Sequence, residues 1–92
     1  HVNTILVSYD LNTPGNDYDG LIKKLNSYGI YWHHLDSFWP IKTNDTHKEV
    51  RDLPRPYLGK NDGLLVMNVT GDAAAWAEFT DRGGKWLKDN LL

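Results

Sequence analysis

Apolar and polar residues alternate along residues 4–11, the first stretch of the chain with a regular pattern. The apolar positions are Ile5, Val7, Tyr9 and Leu11, and the mixed positions between them are Thr4, Leu6, Ser8 and Asp10. A period of two predicts a β-strand with one strongly apolar face. Residues 12–16 follow as a loop, because asparagine, proline and glycine dominate there.

Helical spacing replaces this alternation over residues 17–28. The apolar residues of this stretch fall on one face of a helix: Tyr18, Leu21, Ile22, Leu25 and Tyr28. Asn16 or Asp17 would cap the helix, and Gly29 would end it in the left-handed conformation. A strand, this helix and a second strand would form a βαβ unit with a right-handed crossover.

The second strand is predicted from the aromatic segment, residues 31–39. Alternation would place two sets on opposite faces: Trp32, His34, Asp36 and Phe38 on one, and Tyr31, His33, Leu35, Ser37 and Trp39 on the other. The two adjacent histidines would then point apart, which excludes a two-histidine metal site within one chain. Pro40 cannot donate to a ladder, so it predicts an edge, a bulge or a bend that divides the segment into two short strands.

A capping box opens the second half of the chain. Thr46 and Glu49 have the spacing of this motif and predict the start of a short helix. Pro54 and Pro56 would end that helix, because proline lacks the N–H that a helix interior requires.

Glycines divide the last third of the chain. A turn over residues 60–63 leads to the strand 64–69, which is apolar enough to be central in a sheet. Residues 73–76 predict a short helical stretch, which the glycines at 83–84 would break. A final short helix with one apolar face is predicted over residues 86–91.

The composition is that of a globular chain: 92 residues, 40% hydrophobic and 24% charged, which predicts a single domain over residues 1–92. The absence of cysteine excludes disulfides and thiolate metal sites. A net charge of -2, with the basic residues spread evenly, disfavours binding to long nucleic acid. No apolar run approaches the ~20 residues of a membrane span, and we expect a cytoplasmic protein.

The order of these elements predicts an α+β fold, a ferredoxin-like sandwich with the helices on one face of a mainly antiparallel sheet. Five stretches carry a resemblance to a known layout: SYDL, YG, LDSFW, KNDGLLVMNVTG and WAEF…WLKDNLL. The chain resembles a family of small bacterial and phage proteins labelled SinR-like. That family is in turn similar to the small ferredoxin-like CRISPR-associated subunit of the spacer-integration complex and to the virulence-associated protein D group.

The wider group implies a homodimer and an aspartate at the end of the first strand, paired with its twin across the two-fold axis. Asp10 is the matching position, and in nuclease members the pair is thought to hold a divalent metal. Two carboxylates brought together by symmetry would suit Mg²⁺. The alternative for Asp10 is a structural one, in which it accepts backbone hydrogen bonds from the loop that follows.

A set of candidate ligand-binding residues follows from the aromatic segment and the first strand's polar end. Its members are Ser8, Asp10, Asn12, Trp32, His34, Asp36, Phe38 and Trp39. The rings would stack on a flat ligand, or else pack in the core and in a dimer interface. His34 and Asp36 share a face and would serve either acid–base chemistry or structure.

Three functions remain open from the sequence. The first is a non-catalytic binding module for a nucleotide or similar small anionic ligand, acting as a homodimer without a cofactor. In a phage, such a protein would sequester a defence signalling nucleotide. The second is a Mg²⁺-dependent endonuclease using Asp10 from two chains, and the third is a protein-interaction subunit without a small ligand.

Overall fold

The computed structural model describes residues 2–13, 15, 18–29, 31, 33 and 37–91. The elements, in chain order, are β1 (Asn3–Asp10), α1 (Asp19–Asn26), β2 (Phe38–Thr43), α2 (His47–Asp52), a short 3₁₀ helix (Arg55–Tyr57), β3 (Gly63–Asn68) and α3 (Asp81–Leu91). The fold is α+β, as predicted, with a three-stranded antiparallel sheet and three α-helices in this part of the chain. None of the helices in these ranges is long and apolar enough to cross a membrane.

The strand β1 lies at the centre of the sheet, which has the order β2-β1-β3. Both neighbours run antiparallel to it, so that Val7 pairs with Trp39 on one side and with Val66 on the other. Residues in register point to the same side of a sheet. These pairs therefore define one face, here called the core face.

The other side of the sheet is here called the second face. It carries the alternate residues, and Leu6 pairs there with Pro40 of β2 and with Met67 of β3. The prediction of a central strand over 64–69 is wrong, because β3 lies at an edge of the sheet that the described residues form. Its second-face side chains Leu65 and Met67 are 58% and 46% exposed.

The core lies between the core face and the first two helices. Its buried members are Ile5, Val7, Leu21, Leu25, Trp39, Ile41 and Val50. Leu21 and Leu25 are one helical turn apart on α1, which confirms the apolar face predicted from their spacing. Each fully buried aliphatic side chain stabilises the fold by about 1.5–3 kcal/mol, so this cluster is the main source of stability.

The ends of the first two helices follow the predicted signals. Thr46 accepts a hydrogen bond from the Glu49 amide, and the Glu49 side chain accepts from the Thr46 amide, which confirms the capping box. Gly29 has a φ of +77° after the end of α1, as predicted. The expected caps Asn16 and Asp17 lie outside the described residues; Tyr18 occupies the N-cap position and makes no side-chain cap there.

The aromatic segment does not form one continuous strand in the described residues. Ser37 lies in a turn, and β2 begins only at Phe38. Tyr31 forms an isolated antiparallel bridge to Ile41, which requires the chain to reverse between them. The predicted break is present, but it lies at Ser37, and Pro40 itself is inside β2. The predicted common face of Tyr31, His33 and Trp39 agrees with the structure, because Tyr31 pairs with Ile41 of the core face and the His33 ring stacks on Trp39.

The helix α3 lies on the second face, which corrects the expectation of helices on one face. Leu87 is 5% exposed and lines a space shared with Leu6 and Pro40. The Lys42 ammonium, also on the second face, donates to the Asn90 carbonyl at 3.1 Å. The physical reason is the apolar side of β1 at Leu6, which α1 and α2 cannot cover from the opposite face.

Two further predictions in this region are wrong. Residues 73–76 form no helix, because three exposed alanines offer no apolar face whose packing would offset the cost of nucleation. The helix α3 instead runs through Gly83 and Gly84. Thr80 begins it, since its hydroxyl accepts from the Gly83 amide at 3.2 Å and its carbonyl from the Gly84 amide at 2.9 Å.

We predict that Gly20→Ala destabilises the protein by about 1–3 kcal/mol, the usual range for overpacking. A Cβ atom on Gly20 would overlap the Tyr57 ring of the 3₁₀ helix. Gly63→Ala is the matched control, because no atom lies within 4 Å of its added Cβ. Urea denaturation of both variants measures the difference, and equal free energies of unfolding would contradict this close approach.

Candidate functional site

The structure divides the predicted ligand-binding residues between two faces and a loop. Ser8, Asp10 and Phe38 share the second face, and Ser8 is in register with Phe38. Asn12 lies in the loop after β1. The other predicted members, Trp32, His34 and Asp36, lie outside the described residues.

Trp39 belongs to the core and not to a binding surface. Its side chain is 1% exposed, and its indole N–H donates to the Tyr9 hydroxyl at 3.0 Å. A ring sealed in the core cannot also stack on a ligand, so Trp39 leaves the predicted set. The cause is its register with Val7, which fixes it on the core face.

Other rings of the aromatic segment pack on Trp39. The His33 ring stacks on it with centroids 3.7 Å apart, and the Tyr31 ring lies 5.1 Å away in a tilted arrangement. These contacts favour the packing alternative for this part of the segment, because the rings already have an intramolecular partner.

The Asn12 amide belongs to a hydrogen-bond network around the Asp62 carboxylate, which was not predicted from the sequence. The Asp62 carboxylate accepts hydrogen bonds from the amides of Asn12 and Gly59, both at 2.6 Å. It also accepts from the hydroxyls of Tyr18 at 2.8 Å and Thr13 at 3.1 Å. One side chain thus joins the loop after β1, the start of α1 and the turn before β3.

These hydrogen bonds determine the acidity of Asp62. Partial burial would raise the pKa of its carboxyl, but the amides of Gly59 and Asn12 and the hydroxyls of Tyr18 and Thr13 outweigh it. Together they lower the pKa from 3.8 to about 2. An acceptor with so many donors holds the loops in place, and it has little capacity left for a ligand.

Asp10 is exposed and pairs with Gly63 at the start of β3. Its position at the end of β1 agrees with the metal-binding prediction, but one carboxylate makes an incomplete site. Among the described residues, no three histidine or acidic side chains come together in a way that would hold a metal ion. A Mg²⁺ site at Asp10 would therefore require a second copy of the chain.

Tyr28 holds a buried hydroxyl at the other end of α1. Burial, followed by the nearby carboxylates of Asp45 and Glu49, raises its pKa. The hydroxyl makes no hydrogen bond of normal geometry, although Asp45 lies close enough to influence it. Because it is enclosed and stays protonated, we assign Tyr28 to packing.

A cavity of about 450 Å³ lies between the second face and residues 72–80. Its floor is formed by Leu6, Phe38 and Pro40 of the sheet, and α3 closes one side with Leu87. Phe38 is the one predicted ligand-binding residue that lines it. The cavity is of ordinary size for a small-molecule site, and its walls are mostly apolar, as such sites usually are.

The roof of this cavity comes from residues 72–79, none of which is among the predicted ligand-binding residues. Alanines 73–75 and 77 alternate there with two rings, Trp76 and Phe79, and Asp72 lies at the start. Small side chains next to large rings leave space beside the rings. The only sequence signal in this segment is the alanine run itself, which favours a helix in isolation.

A second cleft, of about 340 Å³, is lined by Arg51, Arg55, Leu58 and Leu64. Its guanidinium groups lie near Asp52, at 3.0 Å for Arg51 and 4.0 Å for Arg55. All three charged side chains are largely exposed, so water screens the pairs. The shared carboxylate reduces the positive charge that would attract an anion.

Comparisons with known proteins add no relative. A scan against family models finds no match, and searches of curated proteins and of solved structures find none either. The resemblance to the SinR-like family therefore stays a prediction.

We predict that Asp62→Asn destabilises the protein and makes its free energy of unfolding depend less on pH in the acid range. A carboxyl whose pKa is lowered by folding stabilises the native state above pH 3.8, and this contribution is lost as the pH falls towards about 2. Urea denaturation between pH 5 and pH 2 measures the change. Asp89→Asn is the control, because Asp89 is exposed and its carboxylate pairs with the exposed Lys85 ammonium one turn away on α3. A variant as acid-sensitive as the parent protein would contradict this role.

Proposed function

We propose that the protein is a non-catalytic binding module for a nucleotide-like ligand, whose flat base enters the cavity on the second face. The observation that carries this proposal is the cavity itself, about 450 Å³ in volume and bordered by three aromatic side chains, Phe38, Trp76 and Phe79. Aromatic rings at such a site favour flat ligands, because stacking on a base contributes about 1–3 kcal/mol.

The charge around the cavity supports one orientation of the ligand. Asp72 is the one charged residue among those that line it. A phosphate beside this carboxylate would meet repulsion and would lose its hydration. The base would therefore be enclosed, while the anionic part of the nucleotide remains at the open mouth in contact with water.

Binding is preferred to catalysis for a chemical reason. Apart from Asp72, the cavity is lined by aliphatic and aromatic residues and by alanines, which cannot transfer protons. General acid–base catalysis needs titratable groups positioned at the reacting atoms. Binding by stacking and by shape, in contrast, needs only aromatic rings and apolar surface, and the walls of this cavity provide both.

We also propose that the sheet is ferredoxin-like, with a fourth strand that includes Tyr31. The bridge from Tyr31 to Ile41 is antiparallel, and β2 is antiparallel to β1, so the chain at Tyr31 runs parallel to β1. The helix α1 would then connect two parallel strands, as in the βαβ unit expected from the sequence. This arrangement supports the predicted sandwich, with α3 as an addition on the second face.

We further propose that the protein is a homodimer formed through the exposed part of the second face. Leu65 and Met67 lie side by side on β3, and water contacts about half of each side chain. A second copy would bury them. Asp10 is on the same face, so such a dimer would also bring the two Asp10 carboxylates close together, as the nuclease alternative requires.

The ligand proposal predicts that Trp76→Leu weakens nucleotide binding by about 10- to 100-fold, the loss of one stacking partner. Trp86→Leu is the matched control, because Trp86 lies on α3 but does not line the cavity. Thermal-shift screening against mono-, di- and cyclic nucleotides selects the ligand, and calorimetry gives the affinities. A protein that binds none of them would favour the protein-interaction alternative.

The dimer proposal predicts that Leu65→Asp converts the protein to a monomer, because a charge would be buried without a partner. Measurement of the mass in solution by light scattering decides this, with Val2→Asp as an exposed apolar control outside β3. A parent protein that is monomeric would overturn the proposal. Mg²⁺-dependent RNA cleavage that is lost in Asp10→Ala would instead favour the nuclease.

A further inference from the structure

Two polar groups at the cavity have no partner among the described residues. Asp72 lines the cavity at its exposed edge, and its carboxylate makes neither a hydrogen bond nor an ion pair with the described residues. The Trp76 indole N–H also makes no hydrogen bond there. One group only accepts hydrogen bonds and the other only donates them.

The structure fixes the main chain at Asp72 and the position of the Trp76 ring. The Asp72 amide donates to the Val69 carbonyl at 3.0 Å across a turn whose third residue, Gly71, has a φ of +79°. This is the position at which a type II turn requires glycine. The Trp76 indole lies against Gly84 of α3, where an added Cβ would be 3.5 Å from the ring nitrogen.

We propose that Asp72 and Trp76 read the edge of the enclosed base and select guanine. This inference rests on the proposed function, because it names the base that the same cavity takes. The Watson–Crick edge of guanine presents two adjacent N–H donors, at N1 and at the 2-amino group, with the O6 acceptor beside them. The Asp72 carboxylate would accept from both donors, and the Trp76 N–H would donate to O6.

The other bases fit this pair of groups less well. Adenine and cytosine each place a ring-nitrogen acceptor beside their amino group, and that lone pair would face the carboxylate. Uracil offers a single donor between two acceptors. A charged acceptor that meets another acceptor costs more than a bond that is simply missing, so the carboxylate discriminates against these bases.

Inosine is the sharpest probe, because it is guanosine without the 2-amino group. Loss of one hydrogen bond to a charged acceptor should weaken binding about 10- to 100-fold. Calorimetry would compare guanosine, inosine, adenosine and xanthosine, all without phosphate, so that the base alone is tested.

The variant Asp72→Asn tests the proposed role of Asp72 as the acceptor for the two donors of the base. It replaces one acceptor oxygen by an amide donor, so guanosine should bind about 10- to 100-fold more weakly. Xanthosine, which has an oxygen where guanosine has the amino group, should bind more tightly. Glu78→Gln is the matched control, since it removes the same charge from the same segment at a position that does not line the cavity. Its affinities should equal those of the parent protein.

The outcomes separate this inference from the function on which it rests. Nucleosides that bind with equal affinity, and that Asp72→Asn leaves unchanged, would overturn the base selection and leave the binding module standing. Binding of a different base in preference to guanosine would have the same effect. A parent protein that binds no nucleoside and no nucleotide would overturn both proposals.

Discussion

The strand β1 carries apolar side chains on both faces, and the rest of the structure depends on covering them. Ile5 and Val7 point to the core face, where α1 and α2 seal them completely. Leu6 points the other way, between Pro40 and Met67. A central strand with apolar side chains on both sides needs a layer on each, so residues 72–91 have to return across the second face.

This second layer covers the sheet without filling the space beneath it. The segment after Gly71 contains four alanines, whose exposed, short side chains line the cavity without filling it. Glu78 has a φ of 65°, which costs a residue with a side chain about 1–2 kcal/mol. The neighbouring rings of Trp76 and Phe79 are half-buried and line the cavity. The cavity thus results from small alanine side chains next to the large rings of Trp76 and Phe79.

Local signals in the sequence identified much of the core face. The alternation in β1, the apolar stripe of α1 and the capping box at Thr46 each depend on neighbours within a few residues. Such signals act within one element, and tertiary contacts did not override them. Alternation also placed Tyr31, His33 and Trp39 on one face, and these rings pack together in the structure. The chain reversal before Phe38 was not predicted, because Pro40 indicated only an edge, a bulge or a bend.

The second face could not be predicted in the same way, because its elements depend on distant contacts. Glycines usually break helices, yet α3 includes Gly83, which is buried, and Gly84, which receives the Trp76 indole. Their lack of side chains is what permits the close approach. Alanines usually favour helices, yet residues 73–75 are irregular. In both cases packing against the sheet outweighs intrinsic propensity.

Two aspartates illustrate why site residues are harder to find than elements. Asp62 and Asp72 each lie next to a glycine at an end of β3, and nothing local distinguishes them. The fold gives Asp62 donors from four residues, so its carboxylate is committed to holding loops together. Asp72 receives none in the described part of the chain and lies beside aromatic rings. A carboxylate that folding leaves without donors beside an apolar cavity is available to a ligand. The number of donors that each carboxylate receives is determined only when the chain is folded, so the local sequence does not indicate it.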